Sequence, residues 1–199
     1  MSDTLTPTPR IDPTAFLARG AVVLGAVTIG RDASVWYYTV IRGDTEIISI
    51  GDATNIQDLC MLHADPGFPC RVGHRVTVGH RVILHGCTVE DGCMIGMGSI
   101  LLNGVHVGAG SVIGAGAVLS PGTQVPPGSL VLGVPGRVVK PVDDAALEGI
   151  EHAWRHYVAQ AERHRSGVFL ISNTPSFDSE GPPSGPLPPS NKLLTADPP

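Results

Sequence analysis

The chain of 199 residues is long enough for one domain with a short appendage, and its 42% hydrophobic and 16% charged residues supply ample apolar material for a core. A net charge of −5, without a cluster of lysines and arginines, argues against a nucleic-acid surface, which needs concentrated positive charge. No apolar run approaches the roughly 20 residues that span a bilayer, and the N-terminus lacks the pattern of a signal peptide. We therefore expect a cytoplasmic protein without nucleic-acid or membrane partners.

The chain begins with a polar segment, residues 1–10, which we predict to be a flexible arm. Beyond it an aliphatic residue recurs every six positions, with interruptions near Ile47 and before Val72 and a one-residue slip before Val89. The fifth position of each hexad is usually small or β-branched, and the position after the aliphatic residue is often glycine. The 19 aliphatic positions are Leu17, Val23, Ile29, Val35, Ile41, Ile50, Ile56, Leu62, Val72, Val78, Leu84, Val89, Ile95, Leu101, Val107, Ile113, Leu119, Val125 and Val131.

This period predicts a stack of short strands separated by sharp corners. The aliphatic side chain would point into a narrow interior, the small fifth residue would fit the inner corner, and glycine would supply backbone freedom at the turns. Three hexads make one triangular coil, and successive coils lie about 4.8 Å apart, as neighbouring strands do.

The pattern resembles the hexapeptide-repeat family, and the resemblance covers residues 11–140. It implies an all-β fold, a left-handed parallel β-helix, and a homotrimer. The handedness comes from the resemblance and not from the period, because parallel crossovers are usually right-handed.

After the repeats, the segment from Val131 to Pro141 resembles the Gly/Pro-rich exit of such proteins. Asp143 and Asp144 offer an N-cap for a helix over residues 143–165, whose apolar stripe should pack along the β-helix. Residues 173–199 are rich in Pro, Ser and Gly, which predicts a disordered tail. The four cysteines lack CxxC spacing, so we expect buried thiols and no disulfides.

Counting three hexads per coil places chemically active side chains in columns. Arg42, His63 and His85 each follow the aliphatic residue of their hexad on one face of three successive coils. Asp58 and His80 form a second column on the preceding face, with Gln57 beside Asp58. His63 and His85 are thus one coil apart, close enough to share a metal, whereas His80 lies on a different face of the same chain. A neighbouring subunit could present its own His80 instead.

Three histidines with an open fourth position are typical of a catalytic zinc site. Here the resemblance narrows to the γ-class carbonic anhydrases. The matching residues are Arg42-Gly43-Asp44, Asn55-Ile56-Gln57-Asp58, His63, Val78-Gly79-His80 and Leu84-His85-Gly86-Cys87.

The γ-class resemblance implies that His63, His80 and His85 bind the metal, with His80 contributed across a subunit interface of the trimer. It implies that Gln57 has a catalytic role by hydrogen-bonding the metal-bound hydroxide, and that Arg42, Asp44 and Asp58 form ion pairs at the interface. The implied reaction is metal-hydroxide attack on CO2 to give bicarbonate. Zn²⁺ is expected, although three imidazoles also suit Fe²⁺ and Co²⁺.

Two other functions remain open at this point. The trimer clefts could serve an acyltransferase or thioesterase acting on acyl-CoA without a metal, or the chain could be a catalytically weak, metal-binding assembly subunit. Thr45 stands where the best-known member of the class has a glutamate, and Asp65 is the only carboxylate in loop 64–71, so we expect slow proton transfer and low activity.

Overall fold

A computed structural model describes residues 7–169, in which nineteen short strands are followed by one helix. The predicted tail over residues 173–199 and residues 1–6 of the predicted arm lie outside this range. The strands are β1 (Arg10–Ile11), β2 (Phe16–Leu17), β3 (Val22–Ile29), β4 (Ser34–Val35), β5 (Val40–Ile50), β6 (Asn55–Ile56), β7 (Met61–His63), β8 (Cys70–Val72), β9 (Thr77–Val78), β10 (Ile83–His85), β11 (Thr88–Val89), β12 (Met94–Ile95), β13 (Ile100–Leu101), β14 (His106–Val107), β15 (Val112–Ile113), β16 (Val118–Leu119), β17 (Gln124–Val125), β18 (Ser129–Leu132) and β19 (Arg137–Pro141), and the helix is α1 (Asp144–Arg165).

Strands β1 to β18 stack in parallel register on three faces, as the hexad count predicts. The first face carries β7, β10, β13 and β16, and the second carries β8, β11, β14 and β17. These two faces form one continuous sheet because β3 and β5 run around the corner between them. The third face is a separate sheet of β2, β4, β6, β9, β12, β15 and β18, closed by the antiparallel β19. The fold is the predicted left-handed parallel β-helix.

The interior is the predicted aliphatic ladder. Ile41, Leu62, Leu84 and Leu101 are fully buried, and the register pairs each with the equivalent residue of the next coil. Leu17 and Val23 are the exceptions: Val23 is only partly buried, and Leu17 is 37% exposed because β2 is the last strand of its sheet and no coil covers it. All four cysteines are free and buried, which agrees with the expectation from their spacing.

The glycines that follow the aliphatic positions serve a different purpose from the one predicted. They have ordinary negative φ values; within residues 7–169, positive φ falls at other corner positions, such as Gly98 and Arg81. Gly51 illustrates their role, because a Cβ there would lie 2.5 Å from the backbone carbonyl of Gly73 in the next coil. The predicted reason for these glycines, backbone freedom at turns, is therefore wrong, and Gly51 shows that the close approach of coils requires glycine there.

This close approach makes Gly51→Ala strongly destabilising. The added methyl group meets backbone, which cannot rotate away, so we expect a loss of about 1–3 kcal/mol. Gly149→Ala is the matched control, because nothing lies within 4 Å of a Cβ at this helical position and alanine should raise stability by about 0.5–1 kcal/mol. Urea unfolding at a fixed protein concentration measures both, and a Gly51→Ala protein as stable as wild type would contradict the packing argument.

Helix α1 packs on the third face, against β2, β4, β6 and β9. Asp143 caps it by accepting a hydrogen bond from the Ala146 N–H at 3.1 Å, and Ile150 and Ala161 are its buried residues. Within residues 7–169, α1 lacks the apolar length that a membrane crossing requires. The helix therefore covers the face next to β6 and β9, the two strands that precede Asp58 and His80.

Candidate metal centre

His63 and His85 are direct neighbours on the first face, where β7 and β10 pair them in register. Their side chains point outward because Leu62 and Leu84, the preceding residues, point inward. The His63 Nδ1 and His85 Nε2 atoms are 3.1 Å apart. Two nitrogens bound tetrahedrally to one zinc ion at about 2.0–2.1 Å are roughly 3.3 Å apart, so the observed spacing is close to that of a shared metal.

The outer nitrogen of His85 is held by Asn103, in the turn after β13. The Asn103 Nδ2 donates to Asp65 Oδ2 at 2.8 Å, which directs its Oδ1 toward His85 Nδ1 at 2.7 Å. An amide oxygen only accepts, so His85 Nδ1 carries the proton. The Nε2 of the neutral ring then carries a lone pair, directed at His63.

A carboxylate holds His63 in the same way. Its Nε2 lies 3.2 Å from Asp44 Oδ1, and Arg42 Nη1 donates to Asp44 Oδ2 at 2.6 Å. The hydrogen bond from Arg42, and secondarily that from His63, lowers the pKa of the Asp44 carboxyl, so Asp44 is an ionised acceptor. His63 Nε2 therefore carries its proton and Nδ1 carries the lone pair. Carboxylate–histidine pairs of this kind orient metal ligands in proteins.

The donor set of these two rings fits a divalent metal. Two lone pairs that face each other at 3.1 Å repel unless a proton or a metal cation lies between them. Asp65 adds a third donor: one oxygen of its carboxylate is 3.9 Å from His85 Nε2, and the donor atoms of His63, Asp65 and His85 all lie within 4.8 Å of one another.

His80 lies in the turn after β9 on the third face and does not belong to that three-residue group. Its Nδ1 is 2.7 Å from Asp58 Oδ2, so a carboxylate lies beside this ring nitrogen and Nε2 is the other nitrogen that could bind a metal. The His80 side chain is 41% exposed, against 13% for His63.

Gln57 also belongs to the third face, and it is buried. Its Nε2 donates to Asn55 Oδ1 at 3.1 Å, while Asn55 Nδ2 donates to Thr77 Oγ1 at 2.9 Å. Because the two hydrogen bonds run in one direction, from Gln57 to Asn55 and from Asn55 to Thr77, the Gln57 Oε1 is the atom that remains to accept a hydrogen bond.

Two half-sites therefore occupy different faces of one chain. The structure brings together Arg42, Asp44, His63 and His85 on the first face, and Gln57, Asp58 and His80 on the third. It does not bring His80 to the other two histidines within the described chain. The Arg42–Asp44 ion pair and the contact of His80 with Asp58 are both formed within the chain.

Sequence reasoning missed Asn103 and left the reach of Asp65 open. Asn103 lies one coil beyond His85 along the chain, in the turn after β13. The sequence could have indicated it only if the residues of that turn had been assigned to the first face together with the strand. Asp65 is placed by its loop, in which the Phe68 N–H donates to the Asp65 carbonyl at 2.9 Å and the Gly67 N–H donates to Glu46 Oε2 at 3.1 Å. Such loop contacts leave no periodic trace in a sequence.

A cleft of about 230 Å³ opens beside the second half-site, between α1 and the third face. Asp58, Tyr157 and His156 are among its lining residues. Burial, and secondarily the charge of Asp58, raise the pKa of the Tyr157 phenol. Asp58 therefore contacts His80 and also lines this cleft.

Comparison with known proteins places the chain in a family. The family model described as bacterial transferase hexapeptide (six repeats) matches residues 86–121. A protein of Methanocaldococcus jannaschii named a probable carbonic anhydrase is 47% identical over 146 residues, which cover 73% of this chain and 92% of that protein. Gamma carbonic anhydrase 1 of Arabidopsis thaliana mitochondria is 49% identical over 55 residues, 28% of this chain and 20% of that protein.

Among solved structures, a Bacillus cereus protein that carries an acetyltransferase name is 40% identical and superposes with a TM-score of 0.78, over 79% of this chain and 92% of that one. The hexapeptide fold is thus shared by proteins named as carbonic anhydrases and by proteins named as acetyltransferases. The match that covers 92% of the M. jannaschii protein, together with the paired histidines His63 and His85, assigns the family of this chain. This chain belongs to the γ-class carbonic anhydrase family of hexapeptide-repeat proteins.

Proposed function

We propose that the protein is a γ-type carbonic anhydrase, which hydrates CO2 to bicarbonate at a three-histidine metal site between the subunits of a homotrimer. One observation carries the proposal: each of His63, His80 and His85 has one ring nitrogen within 3.2 Å of a side-chain oxygen, so that the other nitrogen is the one available to a metal. Metal-ligating histidines are expected to be oriented in this way by a partner on the second ring nitrogen.

The separation of the half-sites supports a site shared between subunits, as the proposed trimer requires. His80 lies in the turn after β9 on the third face, whereas His63 and His85 lie on the first face of the same chain. Its side chain is 41% exposed beside the face that α1 covers, so a neighbouring chain can bring the partner subunit's His80 to this first face. Outward-pointing Met61 and Ile83, 38% and 37% exposed beside the two histidines, give that contact an apolar border.

The chain's own residues then have distinct tasks. When bound, a divalent metal supplies a hydroxide nucleophile near neutral pH, because it lowers the pKa of a bound water to about 7. Gln57 Oε1 would accept a hydrogen bond from the hydroxide nucleophile and so orient an oxygen lone pair toward CO2. Asp44 and Asp58 each hold a proton on one imidazole nitrogen and keep the opposite nitrogen available. Arg42 keeps Asp44 ionised and in place.

Metal content and oligomeric state test this proposal together. Protein purified without chelator should be a trimer with about one metal per chain, and His80→Ala should lower the metal affinity at least about 100-fold, since loss of a partner behind a ligand already costs 10–100-fold. His106→Ala is the matched control, because His106 pairs with Glu90 on the second face and should leave the affinity unchanged. Size-exclusion chromatography with light scattering reports the trimer in each case.

A well-folded trimer that takes up no metal even after anaerobic loading would contradict the proposal. It would favour acyl transfer, which the acetyltransferase name of the Bacillus cereus structure makes the second candidate. Protection of the subunit interface by coenzyme A would then be expected. A metal-loaded trimer that fails to hydrate CO2 with zinc, iron or cobalt would instead identify a catalytically weak assembly subunit.

A further inference from the structure

One chain already presents three metal donors without any help from a neighbour. His63 Nδ1 and His85 Nε2 are 3.1 Å apart, one oxygen of Asp65 is 3.9 Å from His85 Nε2, and all three donors lie within 4.8 Å of one another. Neighbouring ligands of an octahedral or tetrahedral ion bound at about 2.0–2.2 Å are roughly 3–3.5 Å apart, so only a small movement of Asp65 completes the set. We call His63, Asp65 and His85 the single-chain donor set.

Asn103 organises this set from behind. Its amide contacts two of the three members at once, His85 Nδ1 at 2.7 Å and Asp65 Oδ2 at 2.8 Å. The first contact turns the lone pair of His85 inward, and the second leaves Asp65 Oδ1 as the oxygen nearest His85. The space for Asn103 exists because residue 86 is glycine; a Cβ there would lie 2.3 Å from the Asn103 Oδ1.

The local charge also favours a cation at this point. Asp44 and Asp65 flank the two imidazoles, and Arg42, the cation of the cluster, is directed at Asp44 by its hydrogen bond. A divalent ion there faces one unpaired carboxylate oxygen and two neutral nitrogens, a mixture that suits first-row divalent metals.

We propose that the single-chain donor set binds a divalent metal on its own, with Asp65 as third ligand, before and without the partner subunit's His80. The proposal rests on the proposed metal site and adds an order of events: each chain is loaded first, and assembly then exchanges Asp65 for the partner subunit's His80. Asp65 is thereby a ligand of the unassembled chain and a free carboxylate beside the assembled site.

Calorimetric titration of Zn²⁺ and Co²⁺ into the His80→Ala protein tests the proposal. We expect about one site per chain, weaker than in wild type but measurable, and a further loss of about tenfold or more when Asp65→Asn is added. In a chain that keeps His80, Asp65→Asn should change the affinity much less, so the effects of the two substitutions are not additive. Glu90→Gln in the His80→Ala background is the matched control, since Glu90 pairs with His106 on another face.

The outcomes separate this proposal from the proposed function. If wild type binds metal and His80→Ala binds no better than a His63→Ala/His80→Ala double variant, the single-chain donor set is overturned while the three-histidine site stands. If wild type itself binds none, both fail.

Asn103→Leu provides an independent readout that needs no metal. Long-range ¹H–¹⁵N NMR of the metal-free protein should show the His85 proton on Nδ1 in wild type, and a mixture of tautomers in the variant. An unchanged His85 tautomer would show that Asn103 does not organise the set.

Discussion

Mixed trimers of His63→Ala and His80→Ala chains should regain the tight metal site that each variant lacks by itself. Every proposed site takes His63 and His85 from one chain and His80 from the next chain around a closed ring. A His80→Ala chain keeps the first half-site, and a His63→Ala chain keeps the second. Any trimer that contains both kinds of chain has one junction where the two intact halves meet, so it should hold about one tightly bound metal, against three in wild type.

The two variants are co-expressed with different affinity tags, and trimers that carry both tags are isolated by successive purification. Dialysis against a chelator before metal analysis removes ions held only by the weaker single-chain donor set. The matched control is a mixture of His63→Ala and His85→Ala chains. Both substitutions remove a histidine of the first half-site, so no interface in these trimers has two intact half-sites. Equal metal retention in the two mixtures would exclude a site that is divided between subunits.

The column arrangement of the site was predictable because the fold is periodic. Once three hexads make a coil, the position of a residue in its hexad gives its face and its direction. His63 and His85 are 22 residues apart, which is one coil of 18 residues plus the four-residue insertion before Val72, so the hexad positions place them side by side. The same count separates His80 from them. Helix α1 was predictable for a similar reason, since its apolar stripe and the Asp143 cap are local features of the sequence.

The remaining parts depend on contacts that have no period. Asp65 reaches His85 because loop residues Gly67 and Phe68 are tied to Glu46 and to Asp65 itself, and the length of the loop does not reveal this. The protonated nitrogen of each histidine is likewise set by an acceptor that is distant in sequence. The reason for Gly51 was misjudged because a sequence shows that a side chain is missing but does not show which neighbour fills the space.

Leu84→Ala should cost about 3–4 kcal/mol of stability, the usual range for a leucine whose removal leaves a cavity that the structure cannot close. Leu84 is fully buried and lies between Leu62 and Leu101 in the adjacent coils. The parallel backbone bonds on both sides of β10 hold the coils at a fixed spacing, so the neighbouring leucines cannot move in to fill the gap. Because His85 is the next residue on the same strand, removal of the Leu84 side chain should also weaken metal binding.

Leu147→Ala is the control with the same chemical change. Leu147 is 46% exposed on α1, and alanine favours the helix, so its effect should stay within about 0.5 kcal/mol. Urea unfolding is compared at one protein concentration, because the stability of an oligomer depends on the concentration of its chains. Equal midpoints for the two variants would mean that the aliphatic ladder does not carry the stability of the β-helix. A large loss for Leu84→Ala alone, with weaker zinc binding in the folded protein, would tie the geometry of the histidine pair to the packing of the coil behind it.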